Sequence, residues 1–389
     1  MPKTTTKYPV EINYDNFGPE YVVKVYDPLL NMRGFLVIDN TAIGLGKGGV
    51  RMTPDVTVEE VFRLARTMTW KNSLASIPFG GAKAGIVWPG GDEKLKKQFV
   101  QSFAKAIKVF TPTKYVAGPD VGTGEREMQW WVEATGNWRS ATGKPAKLCL
   151  KRPGSTKKQC GIPHEFGSTG FGVVKAAAVA AEIAGINMKG ATVALHGFGN
   201  VGSFAYKFLS QMGAKVVAIA DFYGAVFSKA GFDKQAMQKI MATNSSPTTL
   251  RGVKKISVAD FWKIPVDILI PASVTDVINA SNKNDLQTKI IVEGGNIPMR
   301  EDVENELFKQ GVMIVPDFVA NAGGVISSYA EYRGYSPEQM FAMVENKICA
   351  VTKKVLLTSL KSGVNPRQVA MEMAQKNVEL KMRQKKMTF

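Results

Sequence analysis

Apolar residues recur along the chain at two different periods, and the period separates helices from strands. Val61, Leu64, Met68, Lys71 and Ala75 follow one another at steps of three and four, which places them on one helical face. Thr57 and Glu60 form a capping-box pattern just ahead of them, so a helix is predicted to start there. Residues 173–184 are rich in Ala and Val and read as a second helix, interrupted only by Lys175 and Glu182. The short apolar runs at 191–196, 215–220, 267–270, 289–292 and 312–315 read instead as buried strands with helical sequence between them. Such alternation predicts a doubly wound, parallel α/β sheet. Two more helices are predicted at the C-terminal end. Ser336-Pro337 opens the first with Pro at its favoured position, Gly363 closes it, and Asn365-Pro366 opens the second.

The 389 residues fit two or three domains at about 150 residues each. A hydrophobic fraction of 45% with 21% charged residues excludes a disordered or collagen-like chain. No run of about 18 uncharged apolar residues occurs, so no transmembrane helix and no membrane role are expected. Residues 1–7 are not followed by an apolar segment, so no secretory signal is expected either. Three cysteines argue against a disulfide framework and fit a reducing, cytoplasmic setting. Two histidines argue against a His-rich metal site, and no metal is expected. The net charge of +17 suits an anionic small substrate and also permits weak attraction to polyanions. Part of that charge lies in residues 144–158. Lys144, Lys147, Lys151, Arg152, Lys157 and Lys158 occur there with no acid, among Pro145, Pro153 and Gly154, and a surface loop is predicted.

Gly197-Phe198-Gly199-Asn200-Val201-Gly202 matches G-x-G-x-x-G. A predicted strand precedes it, a predicted helix over 201–212 follows, and Asp221 ends the next strand, which is the context the pattern needs. Gly197 allows the tight turn, Gly199 the approach of a pyrophosphate to the helix N-terminus, and Gly202 close helix–strand packing. Asp221 can accept from a ribose diol and repels a 2′-phosphate, which favours NAD, with NADP as the alternative. The plain rival is a glycine-rich turn without a ligand.

Lys47 lies among the glycines of residues 44–51, Lys83 among those of 78–85, and Lys71 on an otherwise apolar helix face. Any one of them alone reads as a surface side chain. Together they suit a dicarboxylate: two lysines hold two carboxylates, and a third beside them loses pKa to repulsion and desolvation and becomes a general base. Asp120 sits at the centre of a tight Gly/Pro turn over 117–124. It reads either as an Asx-turn residue or as a carboxylate that shuttles a proton.

These segments, in order, resemble the glutamate/leucine/phenylalanine/valine dehydrogenase family from about Asp39 to Tyr332. The motifs are KGGVRM around Lys47, MTWK ending at Lys71, PFGGAKAGI around Lys83, AGPDVGTGEREM around Asp120, GSTGFG at 167–172, GFGNVG at 197–202, EGGN at 293–296 and NAGGV at 321–325. The resemblance implies reversible oxidative deamination of an L-amino acid with a nicotinamide coenzyme. It implies a substrate-binding and oligomerisation domain over 1–165, completed by helices in 336–389, and a Rossmann-type coenzyme domain over 166–335, with the substrate in the cleft between them. Lys71 is implied as the holder of the α-carboxylate, Lys83 as the catalytic lysine and Asp120 as the proton relay. Thr169, Asn296 and Asn321 are implied around the nicotinamide and ribose. Lys47 and Ser328 stand where glutamate-type members hold the side-chain carboxylate, which implies L-glutamate, 2-oxoglutarate and ammonium as ligands and a homo-hexamer as the assembly. Three local departures stand against the glutamate pattern: GGAKAG around Lys83, AGPDVGT around Asp120, and residues 159–165.

Rival readings are a dehydrogenase of another amino acid and a non-catalytic relative that keeps the fold. Cys149, Cys160 and His164 fit no metal-site spacing and read as two ordinary thiols near a loop. Trp130 and Trp131 read as core or subunit contact, and the basic residues 381–386 as a solvated face with no dedicated nucleic-acid role.

Overall fold

The structure, a computed structural model, describes residues 12–151 and 158–387. The readings placed on residues 1–7 and on Arg152, Pro153, Gly154 and Lys157 lie outside the described residues. The chain forms two compact units. The first comprises Met1–Pro163, Ser328–Ser336 and Ala374–Phe389, and the second His164–Ser327 and Pro337–Met373.

In the first unit, β1 (Tyr21–Asp27), β2 (Met32–Asn40), β3 (Leu45–Lys47) and β4 (Val50–Thr53) precede the helix α1 (Val58–Leu74) and the strand β5 (Phe79–Val87). They are followed by α2 (Glu93–Ala106), β6 (Tyr115–Val116), α3 (Glu125–Thr135) and the hairpin β7 (Cys149–Lys151) and β8 (Lys158–Cys160). The sheet order is β1-β2-β5-β3-β6, with β4 also paired to β5. β2 runs antiparallel to β5, whereas β3 and β4 run parallel to it, so β5 with Lys83 is the buried spine. α1 begins as the pattern predicts, with Thr57 Oγ1 accepting from Glu60 N at 3.2 Å. Its Asn72 Nδ2 donates to Gly80 O at 2.7 Å, which ties the end of the helix to β5. Trp131 is fully buried against Phe103 and Tyr115, so the paired tryptophans serve the core of this unit.

Two expectations for the 144–160 region change. Cys149 and Cys160 are joined by a disulfide rather than being two separate thiols. They stand directly opposite each other in the antiparallel β7–β8 ladder with Cα atoms 4.0 Å apart, a register that spacing along the chain does not display. Lys144, read as part of a surface loop, is buried instead, because a carboxylate waits for it inside the unit.

The second unit starts with α4 (Ser168–Ile183), then β9 (Thr192–His196), α5 (Asn200–Gln211), β10 (Lys215–Asp221), β11 (Gly224–Phe227), α6 (Lys234–Ala242), β12 (Lys254–Ile256) and α7 (Val258–Trp262). It continues with β13 (Val266–Pro271), β14 (Thr288–Val292), α8 (Glu301–Lys309), β15 (Met313–Val315) and α9 (Asp317–Ala320). The final helices are α10 (Gly323–Arg333), which passes into the first unit at Ser328, α11 (Pro337–Ser362) and α12 (Pro366–Lys386). The sheet order is β12-β11-β10-β9-β13-β14-β15. Its five predicted strands are parallel, and β11 and β12 add an antiparallel edge. That edge was not visible in the sequence, because β12 is mostly exposed and offers no apolar run.

The division differs from the expected one at both ends of α10 and beyond. Residues 328–336 join the first unit, and Pro337–Met373 join the second rather than returning with the first. Packing gives the reason. α11 lies along α4, burying Val344, Ile348 and Val355, and Arg367 near the start of α12 is held by Glu293, Glu304 and Asp317. Only from Ala374 does α12 belong to the first unit, where Ala374 O accepts from Ser73 Oγ at 2.8 Å. Among the described residues no helix is long and apolar enough to cross a membrane.

Candidate functional site

All five residues expected to touch the substrate fall in the first unit. Lys47 ends β3 and is 3% exposed. Its Nζ donates to Ala117 O at 2.9 Å and, among the described residues, forms no ion pair. A Cβ on Gly118 would lie 2.4 Å from that Nζ, so glycine is what lets the ammonium reach its place. Burial brings the Lys47 pKa down to about 7; Glu331 pulls it back up, and Lys83 and Lys144 add repulsion. A buried ammonium with donors to spare is a receptor for a carboxylate.

Lys83 lies on β5, buried, with Nζ 2.9 Å from Asp120 Oδ2. The same oxygen accepts from Arg51 Nε at 3.0 Å, and Arg51 also pairs with Glu60 at 2.5 Å. Burial pushes the Asp120 carboxyl up, but Lys83 and Arg51 outweigh it and hold the group below the usual carboxylate range. An ionised Asp120 can accept a proton. Lys71 occupies the last turn of α1, half-buried, on the helix that packs against β5. Ser328 is buried on α10.

Three further residues surround this group. Glu331, three positions after Ser328 and on the same helix face, is fully buried. Its carboxylate accepts from Gly143 N at 2.7 Å and Ile162 N at 2.9 Å and meets Lys144 Nζ at 2.6 Å. Sequence reasoning missed Glu331, Lys144 and Arg51 as site residues. Arg51 was visible inside the KGGVRM motif without a role, and an acid one helical turn beyond Ser328 was the available signal for Glu331.

The expected coenzyme residues all fall in the second unit. The first two-residue step of the fingerprint is a turn at the C-terminal end of β9, and α5 starts at Asn200 with Gly199 as its cap. A Cβ at Gly197 would fall 2.6 Å from Ala272 O, and one at Gly202 would fall 1.9 Å from Gly197 O, so the protein's own backbone requires both glycines. A Cβ at Gly199 would meet no protein atom within 4 Å. Its glycine is explained by a group that approaches from outside, at a helix N-terminus that favours an anion, so the turn fits a pyrophosphate. Phe198 packs edge-on to Tyr206, Val201 is half-buried, and Asn200 Nδ2 donates to His164 O at 3.5 Å.

Asp221 ends β10 and accepts from Tyr223 N at 2.9 Å through Oδ1. Asn321 Nδ2 donates to Asn296 Oδ1 at 3.0 Å and to Gly295 O at 3.2 Å, so the two asparagines adjoin. Thr169 lies beside them, since a Cβ on Gly324 would sit 2.9 Å from Thr169 Oγ1. The EGGN segment is braced from behind. Arg367 Nη2 reaches Glu293 at 2.5 Å and Nη1 reaches Asp317 at 3.0 Å, while Asp317 accepts from Ile297 N at 3.0 Å. Burial raises the Glu293 pKa well above the usual range, against the pull of Arg367. His196 is buried and stacked on Trp262 with Ser273 on its Nδ1, and burial lowers its pKa to about 4, so it stays neutral as a structural ring.

Known proteins share this arrangement. The chain is 36% identical over 82% of its length to a glutamate dehydrogenase of Aeropyrum pernix, covering 77% of that protein. It is 38% identical over 75% of its length to an NADP-specific glutamate dehydrogenase of Saccharolobus shibatae, covering 69% of it. Among solved structures, the hetero-hexameric glutamate dehydrogenase of Thermus thermophilus in its Leu-bound form superposes with a TM-score of 0.81. Their identity is 25%, over 94% of this chain and 90% of that one. The family described as Glu/Leu/Phe/Val dehydrogenase, dimerisation domain, matches residues 19–137, and that described as Glutamate/Leucine/Phenylalanine/Valine dehydrogenase matches residues 160–386. With both halves matched in order, the chain belongs to the glutamate/leucine/phenylalanine/valine dehydrogenase family.

Proposed function

We propose that this chain is a glutamate dehydrogenase: L-glutamate, NAD(P)+ and water give 2-oxoglutarate, ammonium, NAD(P)H and a proton, reversibly. The carrying observation is Lys47, a buried lysine whose ammonium has a single carbonyl partner and no carboxylate. An apolar side chain facing it would leave a buried charge unpaired, at a cost of about 1–3 kcal/mol or more. The names of the Aeropyrum and Saccharolobus relatives support the same reading.

In this scheme Lys71 binds the α-carboxylate, and Lys47 with Ser328 binds the side-chain carboxylate. Both ends of the substrate are then fixed, and proximity lowers the barrier before chemistry begins. Asp120 takes the proton from the substrate amine. The chemistry supplied by a bound nicotinamide is acceptance of the hydride released from the substrate Cα. Lys83 then removes a proton from water as it attacks the imine carbon, and Asp120 returns a proton to the departing nitrogen. The Lys83–Asp120 contact lets protons pass between the two groups. Thr169, Asn296 and Asn321 would hold the nicotinamide and ribose, and Gly197 to Gly202 the pyrophosphate. The acid at Asp221 supports NAD as the preferred coenzyme, in contrast with the Saccharolobus relative named as NADP-specific. A homo-hexamer and a cytoplasmic location complete the proposal.

The test is absorbance at 340 nm with the purified chain, L-glutamate and NAD or NADP, beside L-leucine, L-phenylalanine and L-valine. Turnover with glutamate alone is expected. Turnover with an apolar amino acid instead would remove Lys47 and Ser328 from specificity, and no turnover by folded, coenzyme-binding protein would point to a non-catalytic relative.

A further inference from the structure

Next to Lys47 lies a buried ion pair that the scheme above leaves without a task. The side chains of Lys144 and Glu331 are 1% and 0% exposed and meet at 2.6 Å. Glu331 ties three segments together. Its Oε2 accepts from Gly143 N and Ile162 N, its other oxygen faces Lys144, and its backbone oxygen accepts from Gln159 Nε2 at 2.8 Å. Glu331 and Ser328 share one face of α10, so these bonds fix where the Ser328 turn of the helix rests in the first unit. Lys144 is anchored as well. Its Nζ donates to Ala141 O and, at 3.3 Å, to Trp138 O, and it lies 4.2 Å from the centre of the Trp138 ring.

Charge gives the second argument. The groups acting on Lys47 are Glu331 from α10, Lys83 from β5 and Lys144 from the segment before β7. Asp120 is already engaged by Lys83 and Arg51, the Tyr115 hydroxyl on β6 donates to Gly48 O, and Lys71 stands on α1 behind β5. Glu331 therefore supplies the favourable field at Lys47, and Lys144 opposes it. A lysine this deeply buried holds its proton only with such help.

We propose that Glu331 and Lys144 are positioning residues for substrate selection, in which Glu331 keeps the Lys47 ammonium charged and the Ser328 turn in place while Lys144 tempers the Glu331 field. The inference rests on the reading of Lys47 as the holder of the substrate's side-chain carboxylate. Glu331→Gln keeps an acceptor for Gly143 and Ile162 but removes the charge. Lys144→Met removes the opposing cation. The two substitutions act on Lys47 with opposite sign, which a role confined to packing does not produce.

The experiment is inhibition of L-glutamate oxidation by glutarate, a dicarboxylate without an amine, from pH 6.5 to 9.5 with the full-length chain and saturating coenzyme. Pentanoate, which lacks the second carboxylate, is the control. For the unchanged chain the glutarate inhibition constant should climb with pH, up to about tenfold per unit above its midpoint. Glu331→Gln should move that midpoint down and Lys144→Met should move it up, each by about half a unit, or about threefold in the constant at pH 8. Lys144→Arg should leave it in place, and pentanoate should show neither displacement. Midpoints that stay put or move together overturn the role of the pair. If one variant does not fold, judged by circular dichroism and coenzyme binding, the other still carries a signed expectation. Failure of the unchanged chain to oxidise L-glutamate removes the underlying reading of Lys47, whereas turnover with unmoved midpoints removes only this inference.

Discussion

Lys47 and Lys83 sit two strands' width from solvent for different reasons, and each can be tested alone. Lys83 is paired with Asp120 at 2.9 Å, and the scheme gives it the proton of the attacking water. Lys83→Ala should abolish turnover while leaving NADH binding, read by fluorescence titration, largely intact; equal activity would remove Lys83 from the mechanism. Lys47 carries a stability cost with a definite pH window. Its pKa is about 7 when folded against 10.5 as the ordinary value, so between those limits the unfolded chain binds the extra proton. The cost of burying Lys47 is therefore full below pH 7 and is relieved as pH rises toward 10.5. Lys47→Met should raise the urea midpoint at pH 7, by an amount of the order of a few kcal/mol, and the gain should shrink steadily by pH 9.5. A gain that does not depend on pH would place its origin in packing.

Elements decide where these residues stand. Strand β3 delivers Lys47, and the turn after β6 leaves a gap at Gly118 into which its ammonium fits. Gly118→Ala should push the ammonium from Ala117 O and raise the KM for L-glutamate by about tenfold, the worth of one hydrogen bond to a charged group. Its effect on the KM for coenzyme should be small, and equal losses in both would instead mean a general collapse of the unit. At the end of β10, Asp221→Ser should raise kcat/KM with NADP relative to NAD; no change in that ratio would place coenzyme choice elsewhere. Much of this was legible in the sequence because it is local. The capping box at Thr57, the apolar runs of the parallel strands, the fingerprint at 197–202 and the Pro-opened helices each declare themselves within a few residues. Glu331 and Lys144 did not, because their meaning depends on a contact between α10 and a segment far away in the chain. A lysine beside Pro145 in a basic stretch reads as solvated until its partner is seen. The C-terminal helices were placed with the wrong neighbour for the same reason, since nothing local in 337–373 reveals that α11 packs on α4.

At the scale of the whole molecule, the two family matches cover most of the chain in order, and one of them is a dimerisation domain. Together with the hetero-hexameric Thermus structure this supports assembly of six copies, and sedimentation equilibrium should give a mass about six times the 42.3 kDa of the chain. A monomer at micromolar concentration would contradict it. The link between Cys149 and Cys160 has a consequence for handling the protein. It bridges a stretch that includes Lys151, Arg152, Lys157 and Lys158, all cleavage points for trypsin. A single cut in that stretch leaves the two halves of the chain covalently joined. On a denaturing gel the nicked protein would run as one species, and as two fragments only after a reductant is added. A digest performed without reduction would therefore report an intact backbone where none exists.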